Sequence, residues 1–161
     1  MTIDSNHTPC RVMFGIVMAV ACGSSAAANP ITIFDCHLPG GKLVTVTQDG
    51  GSFTYRHGTA NNIDMKITGD ANSGNVFYWS GRYTNIEQQL RFTKGDYSYI
   101  VFSLPANANL GADAVSGIEV LKGTKDISDA AGKNDTCSPW ADLQTSSDNG
   151  LPPDDDSWSA M

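Results

Sequence analysis

Hydrophobic and polar positions alternate in short runs through the middle of this 161-residue chain. Ile63, Met65 and Ile67 interleave with Asp64 and Lys66, and Phe53 and Tyr55 interleave with Thr54 and Arg56. A period of two puts one face of an extended segment on a core and the other in water, so both runs predict strands. Leu43-Val44-Thr45-Val46-Thr47 leads through Gln48-Asp49-Gly50-Gly51 into the Phe53 run. Asp-Gly between two β-rich runs predicts a hairpin, because glycine accepts the positive φ of a tight turn. Val76-Phe77-Tyr78-Trp79 is a further strand; Gln89 to Thr93 and Tyr97 to Ser103 flank Lys94-Gly95-Asp96 as a second hairpin; Gly117 to Leu121 is the last. Only residues 106–114 could form a helical turn, and Gly111 limits it. Seven or eight short strands about ten residues apart predict an all-β domain, a small antiparallel β-barrel or sandwich.

Ahead of this pattern, Arg11 is followed by an apolar run from Val12 to Cys22 and then by small residues through Ala28. A base, an apolar stretch of about 7–15 residues and small residues at its exit form a secretory signal. The run is short of the roughly 20 apolar residues of a spanning helix. Residues 1–28 are therefore read as a signal peptide and the protein as exported, to the periplasm or outer cell envelope. Ala26-Ala27-Ala28 would place cleavage before Asn29. Met18-Ala19-Val20-Ala21-Cys22 resembles a bacterial lipoprotein box, which implies cleavage before Cys22 and lipidation of that thiol. Such an anchor would be the protein's one route to a membrane.

Export leaves Cys36 and Cys137 as an even pair in an oxidising compartment, and a disulfide between them is expected. It would close a loop of about 100 residues, for which chain entropy predicts about 4.7 kcal/mol. His37 beside Cys36 has no C-x-x-C partner, so no metal site is expected there.

Charge divides the chain. The formal net charge is −7, yet residues 29–137 carry nine bases against eleven acids, while five acids and no base follow Cys137. A near-neutral body and an acidic tail do not suit nucleic acid or an anionic membrane surface. In residues 138–161 Trp140, Leu143, Leu151 and Trp158 are scattered among Ser, Asp, Pro and Gly, and this composition predicts a disordered acidic tail. Asp154-Asp155-Asp156 lacks the spacing of a calcium loop. The reading is thus a signal peptide at 1–28, a β domain at 29–137 and the tail at 138–161.

No nucleophile, phosphate-loop, zinc or dinucleotide motif occurs, so neither a cofactor nor catalytic residues are assigned. His37 and His57 lie near strand ends and are read as surface or turn residues. Asp64, Glu87 and Asp96 leave open a glycan-acting enzyme, which needs two carboxyl groups in one cleft. Phe77, Tyr78 and Trp79 must point to both faces of a sheet, whereas Tyr97 and Tyr99 share one face. They fill a core or form an aromatic binding patch.

Ser80-Gly81-Arg82-Tyr83 and Phe92-Thr93-Lys94-Gly95-Asp96 resemble the two signatures of the periplasmic and membrane-bound inhibitors of c-type lysozyme. In that family a Ser and a Lys on adjacent loops of a small barrel engage the two catalytic carboxylates of the enzyme. The resemblance implies that Ser80 and Lys94 are contact residues, with Arg82 and Tyr83 beside Ser80. Arg82 alone separates Gly81 from Tyr83, where the family has two residues, and Arg91 stands where it has an aromatic. The function expected on this basis is an exported cell-envelope protein that inhibits a lysozyme-like peptidoglycan hydrolase. The alternative is a structural or ligand-binding envelope protein.

Overall fold

The computed structural model describes residues 29–127 and 135–156. The expected signal peptide, its cleavage sites and the lipidation of Cys22 lie outside the described residues. Within them the chain is all-β, in two antiparallel meanders. The first comprises β1 (Ile31–Leu38), β2 (Lys42–Asp49), β3 (Ser52–Thr59) and β4 (Asn62–Gly69). The second comprises β5 (Val76–Arg82), β6 (Ile86–Lys94), β7 (Tyr97–Leu104), β8 (Val115–Lys122) and the two-residue β9 (Lys125–Asp126). Each meander has two edges and neither closes on itself, so the fold is a sandwich and not a barrel. Eight long strands stand where seven or eight were predicted.

Local chemistry accounts for the elements. Asp49 pairs with Ser52 across a two-residue turn whose Gly50 has φ 56°, the geometry expected of Asp-Gly. Residues Ala108–Leu110 form a single 3-10 turn, capped by the Asn107 side chain and stopped at Gly111. Alternation then builds the core. Val44, Val46, Phe53, Tyr55 and Ile67 meet Val76, Leu90, Phe92, Val101 and Ile118 from the facing sheet. In the central strand β7, Ile100 and Phe102 point the other way and are buried too.

β1 is absent from the expected strands for a structural reason. The pairing of β1 with β2 slips between Thr32 and Phe34, so Ile33 and Phe34 are both buried and the period of two is lost.

The segment after Cys137 is corrected by the structure: as far as Asp156 it lies packed on the sandwich, and 157–161 are outside the described residues. Thr136 bridges to Gly117 of β8, and the Cys36–Cys137 disulfide, with Cα atoms 5.1 Å apart, ties it to β1. The amides of Ala141 and Leu143 donate to Ser116 Oγ (2.8 Å) and Ser103 Oγ (3.1 Å), and that of Gln144 donates to the Ile33 carbonyl (2.8 Å). Residues 152–154 then extend the edge of β5: Tyr78 donates to the Pro152 carbonyl and Asp154 donates to that of Tyr78. Composition missed this because few residues carry it. Leu143 is completely buried, and inward serines on the strands supply acceptors to a chain whose start is already tethered.

Candidate functional site

The residues singled out by the inhibitor resemblance are not brought together. Ser80 pairs with Gln88 near the start of β6, while Lys94 ends that strand opposite Tyr97. Six residues at about 3.4 Å each put them roughly 20 Å apart along the sheet. Arg82 closes β5 and Tyr83 follows in an exposed turn, at the Ser80 end. Two donors so placed do not enter one cleft side by side. The three acids are also dispersed: Asp64 is in β4, Glu87 is buried near the start of β6 in the other sheet, and Asp96 is in the turn beyond its far end.

Aromatic positions divide as the strand period requires. Tyr78 faces the core, while Phe77 and Trp79 occupy the opposite face, where the Arg91 guanidinium lies 4.7 Å from the Phe77 ring centroid. Tyr97 and Tyr99 do share a face, with centroids 6.4 Å apart, and Tyr99 continues to Tyr55 of the opposing sheet at 5.7 Å.

This tyrosine ladder ends at a cleft of about 250 Å³ between the sheets, beside β8. Tyr55, His57 and Met65 line it from one sheet, and Tyr99, Ile118 and Val120 from the other. Ile127 and Asp135 complete its rim. Deeper in, Phe53, Ile67 and Phe92 fill the same layer completely, but at this end His57 and Met65 are only half-buried. The cavity is mainly apolar with a few polar groups, the composition expected of a small-molecule site.

A β-bulge shapes the polar rim. His57 pairs with Met65 and Gly58 with Ile63, leaving Asp64 as the extra residue. Only glycine fits at position 58, since a Cβ there would come within 2.2 Å of the Asn62 carbonyl oxygen. Asp64 is held by the ammonium of Lys42 from the start of β2 and by the Asn62 amide (2.7 Å), and its carboxylate is 4.0 Å from His57 Nδ1. The bond from Lys42 is the main reason Asp64 titrates below the usual carboxylate range.

Burial, with Lys42 adding and Asp64 opposing, moves His57 below its usual 6.5, so the imidazole on the cleft wall is neutral at pH 7. Burial, reinforced by Tyr99 and Asp135, raises the Tyr55 phenol above its usual 10.0, and it too is neutral. Neutral imidazole and phenol both donate and accept hydrogen bonds. The site can therefore bind and orient a molecule, and among the described residues it contains no activated nucleophile. Among the described residues no cluster of three or more His, Cys, Asp or Glu could hold a metal ion.

Sequence reasoning placed His57 at the surface, whereas its side chain lies on the cleft wall. The signal was available: 53, 55 and 57 share a parity in β3, so the face that carries Phe53 and Tyr55 inward carries His57 with them. No protein-family model, curated protein or solved structure matches the chain.

Proposed function

We propose that this chain is an exported cell-envelope binding domain that takes one small, largely apolar molecule into the cleft between its sheets. The observation that carries the reading is the cleft itself: about 250 Å³, walled by tyrosine, methionine and aliphatic side chains, with the neutral imidazole of His57 able to orient a guest. Binding pockets for drug-sized ligands run to about 300–1,000 Å³, so the guest is smaller than those. Export is supported by the apolar leader and by a cysteine pair whose chemistry suits an oxidising compartment.

The test is a titration of the purified domain with a panel of small apolar compounds, read by NMR on the Met65 methyl and the Ile127 side chain. Saturable shifts that vanish in Val120→Phe, where the added ring fills the cavity, are the expected result. A panel that leaves both residues unmoved at millimolar concentrations removes the reading. A cell-wall lysis assay with c-type lysozyme is expected to run at the same rate with and without the protein. Inhibition that is lost in Lys94→Ala would reinstate the inhibitor reading in its place. For export, sequencing of the mature N-terminus should give Asn29 or a modified Cys22; a chain retaining Met1 in the cytoplasm would contradict it.

A further inference from the structure

We infer that one end of the sandwich, beside the start of β1, is a surface that seats in the headgroup region of a zwitterionic lipid bilayer. The inference takes from the preceding reading only that the chain is exported, and it does not depend on the cleft. Tyr83, Ile86, Leu110 and Trp140 are large, hydrophobic and exposed, and all four stand at the end of the second sheet where β5 and β7 finish and β6 and β8 begin. The Asn85 amide donates to the Ala106 carbonyl (3.0 Å) and the Asn107 amide to that of Thr84 (2.5 Å), so the two loops form one tip. Trp140 joins it through its indole N–H, which donates to the Val115 carbonyl (3.2 Å). Ile31, exposed too, opens β1 on the same margin, where Leu143 reaches Ser103 near the end of β7 and Gln144 reaches Ile33.

The chemistry of the tip and the course of the chain commit this end to lipid. Residues 83–86 and 105–112 include no charged side chain, so seating them strips no ion of its water. Their amides are satisfied from within. Those of Tyr83 and Ile86 donate to the carbonyl and the side chain of Asn85, and those of Asn107, Asn109, Leu110, Gly111 and Ala112 donate to acceptors inside the second loop. A segment entering a bilayer must hold its own hydrogen bonds, whereas a protein partner can supply them. Tyrosine and tryptophan beside isoleucine and leucine are the side chains that settle at a membrane–water interface. Eight residues lie between Cys22 and Ile31, at most about 30 Å of extended chain, so a lipid on Cys22 would keep this end by the bilayer. The formal charge of −7 favours a zwitterionic surface over an anionic one.

The experiment adds phosphatidylcholine vesicles with brominated acyl chains to the product of the full-length chain, purified with its disulfide intact and with the N-terminus its cell leaves on it. Bromine quenches an indole that reaches the acyl boundary, and Trp140→Phe separates Trp140 from Trp79 and Trp158. The expected result is quenching that Trp140→Phe removes. Leu110→Ser and, independently, Ile86→Ser should each cut the Trp140 quenching severalfold. Both side chains are exposed, so neither change threatens the fold. Protein that stays in solution overturns the inference. So does protein that sediments with the vesicles while Trp140 goes unquenched, or whose quenching both serine variants leave intact, because an anchor alone or another face then carries the contact. A dimer in sedimentation velocity that Leu110→Ser dissociates and vesicles leave intact assigns this end to a second copy and likewise overturns it. A chain that retains Met1 would refute export instead, while the quenching still decides the surface.

Discussion

Along β1 the described residues close the space between the two sheets, whereas beside β8 they leave a cleft of about 250 Å³, and the two margins differ in what holds them. Along β1 the C-terminal segment supplies a covalent tie to Cys36, the buried Leu143 and the Gln144 amide on the Ile33 carbonyl, and it reaches across to Ser103 of β7 and to Ser116 at the start of β8. It finishes on an ion pair: Arg91 grips Asp154 through two bonds of 2.8 and 2.5 Å while stacking over Phe77. Beside β8 the described residues wall a cavity with buried side chains (Tyr55, Ile118) and half-buried ones (His57, Met65), and at the rim stands the exposed Lys42–Asp64 pair. A few residues of the C-terminal segment decide the difference, since both margins face the same pair of sheets.

The largest expected effect tests the closed margin. Replacing Cys36 and Cys137 together by Ser, which opens a loop spanning 101 residues, should cost up to about 4.7 kcal/mol in urea unfolding. Next comes Arg91→Ala. The Asp154 side chain has no solvent exposure, so losing its partner strands a buried carboxylate at a cost of about 3–5 kcal/mol. The double variant Arg91→Ala with Asp154→Ala should recover part of that loss, because no charge is then left unpaired. If Arg91→Ala cost under about 0.5 kcal/mol, the end of the C-terminal segment would be a surface ornament and the contrast between margins would fail at its strongest polar contact.

A matched pair of truncations sharpens the comparison further. Leu143→Ala removes a completely buried side chain from the closed margin and should cost about 2–5 kcal/mol. Met65→Ala removes a half-buried one that already borders a cavity, and should cost about 1 kcal/mol. Thermal denaturation of the two variants side by side measures the difference. Equal losses would mean that the cleft is as tightly packed as the rest of the core.

The two margins were also unequally legible in the sequence. Strand alternation and turn chemistry are local properties, and they located β2 to β8, the Asp49-Gly50 hairpin and the 3-10 turn before Gly111. The cysteine pair was legible because two cysteines remain once the expected leader is set aside, and an expected oxidising compartment would pair them. The closed margin was not, because burial of Leu143 and Asp154 depends on serines and an arginine far away in the chain. Composition averages over such residues. The cleft failed differently: Tyr55, His57, Met65 and Tyr99 each lie in a recognisable strand, and the inward parity of three of them was readable. That the sheets leave space at that point depends on which strand ends oppose one another and on the bulge at Asp64. The Ser80 and Lys94 motifs show the converse hazard, since turns can look alike in sequence and still sit at opposite ends of a sheet.

The smallest effect expected concerns protons at the open margin. His57 is held below its usual 6.5 chiefly by burial, so the unfolded chain takes up a proton before the folded one as the pH falls. Its contribution to stability is therefore complete above about pH 6.5 and declines below it, until the folded imidazole is protonated as well. Asp64 acts in a separate window. Its pKa is depressed mainly by the bond from Lys42, so its contribution is complete above its ordinary 3.8 and declines as the pH falls further. Urea melts from pH 8 to pH 3 should resolve a gentle loss beginning near pH 6.5 that disappears in His57→Gln. Lys42→Ala should leave Asp64 with its Asn62 bond alone and reduce the loss below pH 4. The same variant removes a charge that disfavours protonation of His57, so the upper loss should shrink in step. A profile in which Lys42→Ala leaves the upper window unchanged would disconnect the rim from the cleft wall. The open margin would then be two independent groups and not one polar rim.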